Sequence, residues 1–223
     1  MPRRAGTAAS VPGRGESSSP RRRSTAARRS GCRFLSSAAV RDVPGRGPES
    51  PGRPDARLEA LIAASGAPHT FLRPHGFISN TLRWAEAVRS TGVVRAFGGE
   101  ACLNLIDERD IAAVAVHALI EDGHDGRAYD LTGPSSPSQS EQLRTLADVL
   151  GRPLRWHELP RPTARAEMLA AGWPNAVADG ALRFMADHIG RPEQVTDTVL
   201  RVTGRPPRSF RDWLADHAVL FRE

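Results

Sequence analysis

The chain has 223 residues, enough for one large domain or two small ones, with a hydrophobic fraction of 39% and a formal net charge of +6. That charge is unevenly placed: residues 1–33 hold nine Arg and one Glu, and the body from 34 onward is mildly acidic, which excludes reading the whole chain as a nucleic-acid binder on charge alone. No apolar run approaches the roughly 20 residues that cross a bilayer, and the two cysteines, Cys32 and Cys102, form no C-x-x-C pair, a usage that fits a reducing cytosol.

Residues 1–32, rich in Arg, Ser, Pro and Gly and almost free of large apolar side chains, are expected to be a disordered tail. RFLSSAAV (33–40) has the length of a short buried strand and is followed by a Pro/Gly-rich loop over 43–54. ARLEALIAASG (56–66) places Leu58, Leu61 and Ile62 at helical spacing and ends on Gly66, a helix-terminating residue. PHTFLRP (68–74) is a second strand, so the three form a β-α-β unit with parallel strands.

Further on, FISNTLRWAEAVRS (77–90) reads as a helix, and VVRAF (93–97) and LNLI (103–106) as short strands with Gly98-Gly99 turning between them. Asp107 is expected to cap a helix through IAAVAVHALIE, with Asp110 near its positive end. RAYDLTG (127–133) is a strand. Ser138 and Glu141 stand at capping-box spacing for a helix that closes on Gly151. LRWHELP (154–160) is a strand, and helices follow around 163–171, 175–189, 195–203 and 210–220, the last capped by Ser209 and Asp212. Alternating strands and helices make the class α/β, with a mostly helical C-terminal cap over 160–223.

In an open parallel sheet, ligands lie beyond the carboxyl ends of the strands. Two unusual features fall there: Ser36-Ser37 interrupt the first apolar run, and Arg73-Pro74 end the second. Two readings of the latter stay open. The backbone turns over a ligand, with Pro74 fixing φ and Gly76 allowing close approach, or Arg73 caps the sheet edge in solvent and Pro74 opens the next helix.

The stretches RFLSSAAV, LEALIAASGAPHTFLRPHGFISNTLRWA and LNLIDERDIAAVAVHALIEDGHDGRAYDLTGP together resemble the NmrA-like branch of the atypical short-chain dehydrogenase/reductase family. The resemblance covers residues 33–223 and implies an incomplete Rossmann-like parallel sheet binding NADP or NAD. By it, Ser36, Ser37, Pro74, Gly76 and Phe77 are expected at the cofactor, and Asn80 and Trp84 on the substrate side. The implied activity is NAD(P)H-dependent reduction of a small electrophilic acceptor such as a quinone. The alternatives are a non-enzymatic NAD(P) sensor and an inactive truncated fragment.

Two departures from the family stand out. No G-x-x-G-x-x-G turn follows a strand; Gly13-Arg14-Gly15 is followed by a run that cannot form an apolar helix face, so the glycine-rich part reads as replaced by the tail, as in a truncated gene product. All 31 basic residues are Arg and the single Tyr is Tyr129, so the Tyr-x-x-x-Lys pair of typical short-chain dehydrogenases is absent and no catalytic residue is assigned.

The seven histidines form no metal-ligand motif, and no metal is expected. His75 in the crevice loop is read as a solvated histidine, the other reading being that it polarises a substrate carbonyl; the acidic cluster Asp107, Glu108 and Asp110 is read as caps, and Trp156, Trp173 and Trp213 as core or pocket residues. The expected partner is a small-molecule substrate. Neither specific nucleic acid nor membrane is expected, a homo-oligomer is compatible with the chain, and the expected location is cytoplasmic.

Overall fold

A computed structural model describes residues 34–37 and 54–222, with side chains from residue 57 onward. The tail expected over 1–32 lies outside the described residues, and so do the side chains of Ser36 and Ser37.

The β-α-β unit is present. Strand β1 (Phe34–Ser37), helix α1 (Pro54–Ala64) and strand β2 (His69–Pro74) follow one another, and β1 runs parallel to β2 with Phe34 opposite His69 and Ser37 opposite Leu72. Gly66 takes φ +70°, the left-handed conformation that ends α1. Four of the six β2 residues are buried, as in a strand covered on both faces.

The segment after β2 departs from the expected single helix. Strand β3 (Gly76–Phe77) comes first, then a 3-10 helix over Ile78–Trp84, and only then α2 (Ala85–Ser90). Three residues per turn put Ile78, Thr81 and Trp84 in one row, and all three are buried. Asn80 and Arg83 form another row. An α-helical turn would have fanned Ile78, Thr81 and Trp84 over about 120° around the axis.

Strands β4 (Val93–Ala96) and β5 (Leu105–Ile106) lie where the sequence puts them, but they belong to different ladders. β5 pairs in parallel with β3, and β4 pairs in parallel with β7 (Arg155–Glu158). The Gly98-Gly99 backbone therefore joins two ladders. Its N–H groups donate to the Glu158 carboxylate at 2.6 and 2.8 Å, which seats the turn on β7.

Helix α3 (Glu108–Ile120) starts at Asp107, whose carboxylate accepts from the Arg109 N–H at 2.8 Å. Strand β6 (Arg127–Leu131) joins β2 on the side away from β1, so the order is β1-β2-β6, all parallel. Helix α4 (Gln139–Leu150) opens with the expected reciprocal pair: Ser138 N–H donates to Glu141 at 2.7 Å and Glu141 N–H donates back at 3.2 Å. The remainder is helical: α5 (Arg161–Ala170), α6 (Asn175–Asp187), α7 (Thr198–Thr203) and α8 (Phe210–His217), the last capped by Ser209 and Asp212 as expected.

Two apolar clusters hold most of these elements, and a third, Leu159, Ala164 and Leu182, packs α5 against α6. The larger joins Ile78, Trp84, Val88, Leu146, Trp213 and Phe221 between the 3-10 segment, α2, α4 and α8. The smaller joins Leu72, Ile106, Val114, Leu131 and Val199 between β2, β6, α3 and α7. Trp213 is buried, Trp156 packs at the edge of the larger cluster, and Trp173 is exposed. Parallel strands with helical crossovers and a helical C-terminal part make this a Rossmann-like α/β fold.

Candidate functional site

Beyond the carboxyl end of β2 the chain passes through His75 into β3. His75 N–H donates to Leu131 O at 3.0 Å and Gly76 N–H to Asn104 O at 3.0 Å, so this short connection is tied to the ends of two ladders. A cavity of about 250 Å³ opens there. His75, Gly76, Asn80 and Arg83 line one side, Leu103, Asn104 and Leu105 a second, and Phe184, Met185, His188 and Glu193 a third.

The sequence-derived candidates divide. Gly76 and Asn80 line the cavity. Pro74 is the last residue of β2, opposite Leu131. Phe77 packs against the smaller apolar cluster. Trp84 lies in the core, its ring edge-on to Trp156 at 5.8 Å. Ser36 and Ser37 sit on β1 opposite Phe71 and Leu72.

Arg73 does not cap the sheet edge in solvent. Its Nε and Nη2 donate to the two oxygens of Glu59 on α1, at 3.1 and 2.6 Å. The Glu59 hydrogen bond raises the guanidinium pKa above its ordinary value. The charge at the end of β2 fastens the crossover helix to the sheet.

Several lining residues escaped sequence reading. Glu193 follows α6 in a loop, and its carboxylate accepts from Asn104 N–H at 2.9 Å. It lies 3.7 Å from His75 Nδ1 and 3.4 Å from His188 Nε2. Burial pushes this carboxyl up, but the His75 contact, the Asn104 N–H and the neighbouring His188 outweigh it and hold it below the usual carboxylate range. His75 is therefore no solvated loop histidine: its side chain is 12% exposed and faces a carboxylate. Asn104 is fully buried, and although its Nδ2 donates to Gln194 O at 3.1 Å, its Oδ1 has no hydrogen-bond partner among the described residues.

Arg83 Nη2 donates to Gln139 Oε1 at 2.8 Å, and its guanidinium carbon stands 5.8 Å from the centre of the Trp84 ring. The residue is exposed by area, yet desolvation lowers its pKa. Arg83 lines the cavity, where neighbouring protein desolvates the guanidinium while part of the side chain stays open. The only signal for it in the sequence is its spacing of three from Asn80, which sets both on one row once the segment is helical. Glu193, Asn104 and His188 leave no such local signal.

Tyr129 does not line the cavity; its hydroxyl pairs with His124 Nδ1 at 2.7 Å. Among the described residues no group of His, Cys, Asp and Glu could hold a metal, and no helix is long and apolar enough to cross a membrane.

No family model matches the sequence. Individual proteins do. A (4-alkanoyl-5-oxo-2,5-dihydrofuran-3-yl)methyl phosphate reductase of Streptomyces griseus is 48% identical over 164 residues, covering 73% of this chain and 58% of its own. An NAD(P)H azoreductase of Xenophilus azovorans is 36% identical over 204 residues, covering 88% and 69%. The chain thus spans about six- to seven-tenths of the length of these curated relatives. In fold it resembles the NADPH-dependent quinone oxidoreductase of Escherichia coli, with a TM-score of 0.63 at 24% identity over 74% of this chain and 60% of that one. The parallel β1-β2-β6 order, the connection through His75 and Gly76 and the kinship with these reductases agree, and the chain belongs to the NmrA-like branch of the atypical short-chain dehydrogenase/reductase family.

Proposed function

We propose that this protein is an NAD(P)H-dependent oxidoreductase that reduces a small electrophilic acceptor such as a quinone. The observation that carries the reading is the cavity beyond the carboxyl end of β2, the position where open parallel sheets take their ligands. At about 250 Å³ it falls below the roughly 300–1,000 Å³ of pockets that bury drug-sized ligands. It suits one small acceptor, with a dinucleotide lying outside it along the strand ends.

The residues fit the nicotinamide end of such a cofactor. Ser36 and Ser37 on β1, Pro74 at the end of β2, and Gly76 and Phe77 on β3 are proposed to face it. Asn104 Oδ1, a buried acceptor lacking a partner among the described residues, is the kind of atom that a carboxamide N–H satisfies. When bound, the nicotinamide supplies the hydride. Asn80 is proposed to orient the acceptor, and Trp84 to support that side from beneath. The proton that completes the reduction is assigned to His75. The Glu193 carboxylate, 3.7 Å from Nδ1, holds the ring in place beside the acceptor site. A cytoplasmic location, where reduced nicotinamide is available and a free buried thiol such as Cys102 persists, belongs with this reading.

The test is calorimetric titration of NADPH and NADH into the full chain, with NADPH oxidation followed in the presence of 1,4-naphthoquinone. Micromolar binding and steady turnover are expected, and His75→Phe should lower kcat by about tenfold or more. Binding without turnover would turn the reading to a cofactor sensor. Neither binding nor turnover would overturn it.

A further inference from the structure

Of the cavity's side chains, Arg83 is the one whose arrangement the reductase chemistry leaves unexplained. Among the described residues its hydrogen-bond partner is a neutral amide, Gln139, and no carboxylate pairs with it. Two part-buried arginines are handled differently: Arg73 meets Glu59, and Arg208 meets Asp107. A guanidinium has five N–H donors in a fixed fork, and a cation walled by protein without a counter-charge is costly to keep.

Arg83 is nevertheless held firmly. Gln139 is buried, and its Nε2 donates to Gly98 O at 2.8 Å, which fixes its Oε1 toward Arg83. The Trp84 ring supports the other side. The cavity's one carboxylate, Glu193, already serves Asn104 N–H and lies between His75 and His188. The arrangement presents to the cavity a positioned cation with no counter-charge among the described residues.

We propose that the acceptor taken by this cavity carries an oxyanion, a phosphate or sulfonate or carboxylate group, and that Arg83 binds that group through its remaining N–H donors. The electrophilic part of the same molecule then lies toward His75 and Gly76. Gln139 and Trp84 are positioning residues, setting the guanidinium without touching the ligand. The inference rests on the reductase reading for taking this cavity as the acceptor site. The attraction is a charge-assisted hydrogen bond in a walled site, the kind of contact that distinguishes a charged ligand from a neutral one of equal shape.

The experiment compares naphthalene-1-sulfonate with its neutral isostere naphthalene-1-sulfonamide by calorimetric titration into the full chain. Wild type should bind the sulfonate about tenfold or more tightly than the sulfonamide, the scale of one charge-assisted hydrogen bond. Arg83→Gln should erase that preference, and Arg83→Lys, which keeps the charge but not the fork, should retain part of it. Circular dichroism of each variant establishes that it is folded; if Arg83→Gln is not, the Arg83→Lys preference decides, and an undiminished value overturns the assignment. Equal affinities in wild type, no binding of either probe, or a preference surviving in folded Arg83→Gln also overturn it. These readouts need no turnover, so a sulfonate preference in a protein that fails to oxidise NADPH would sink the reductase reading and leave the anion site standing.

Discussion

Arg73 and Glu59 meet side on, two donors to two carboxylate oxygens, 14 residues apart in the chain and on different elements, β2 and α1. The pair locks the crossover helix against the strand whose end opens into the cavity. Glu59 is 13% exposed and Arg73 34%, so solvent screens the pair only in part. Glu59→Gln should lower unfolding stability by about 1 kcal/mol, seen as a reduced urea midpoint at unchanged slope. An unchanged midpoint would mean that the pair contributes nothing.

Asp107 does two jobs from a buried position. It caps α3 through Arg109 N–H and accepts from Arg208 Nε at 2.7 Å, which fastens the segment before α8 to the start of α3. Asp107→Ala loses the cap and strands a charge, so it should cost about 3 kcal/mol, well above the ~1 kcal/mol expected for the simpler cap loss in Ser138→Ala. Denaturant melts of the two variants check the order. Equal losses would show that the Arg208 contact adds nothing.

Glu193 gives a pH-dependent signature. Its carboxyl is held below its ordinary value of 4.5 in the folded chain. A carboxylate depressed by folding adds stability above its unfolded value, and that stability is lost as pH falls through the folded one. Glu193→Gln should therefore cost about 1–2 kcal/mol at pH 7 and distinctly less at pH 3. Stability measured across that range, wild type against variant, tests this. A constant gap would mean that the folded carboxyl is not depressed.

Gly133 follows β6, where a methyl group would overlap the Leu105 carbonyl. That obstacle is backbone and cannot swing aside as a flexible side chain could. Gly133→Ala should push on β5, whose Leu105 lines the cavity, and should cost about 2–3 kcal/mol. The expected readout is a lowered melting temperature together with weakened naphthalene-1-sulfonate binding. Gly66→Ala is a control: its positive φ carries strain but its surroundings are open, so stability should fall by about 1 kcal/mol without loss of binding.

What the residues determine by themselves is local. Ser138 with Glu141, Ser209 with Asp212, Asp107, and Gly66 and Gly151 mark helix ends because a cap depends on groups within a few residues of one another. The alternation of strands and helices shows the parallel α/β class for a similar reason: each period is set within a dozen residues. Tertiary structure alone decided the ladder partners of β3 and β4 and the tightening of residues 78–84 into a 3-10 turn. A two- or four-residue strand carries no label for its neighbour, and three-per-turn packing is imposed by the core that receives Ile78, Thr81 and Trp84. The cavity was legible at Gly76 and Asn80, which share the segment after β2. It was hidden at Arg83, Asn104 and Glu193, because their roles depend on groups 56, 89 and more than 100 residues distant, brought together only when the apolar clusters close.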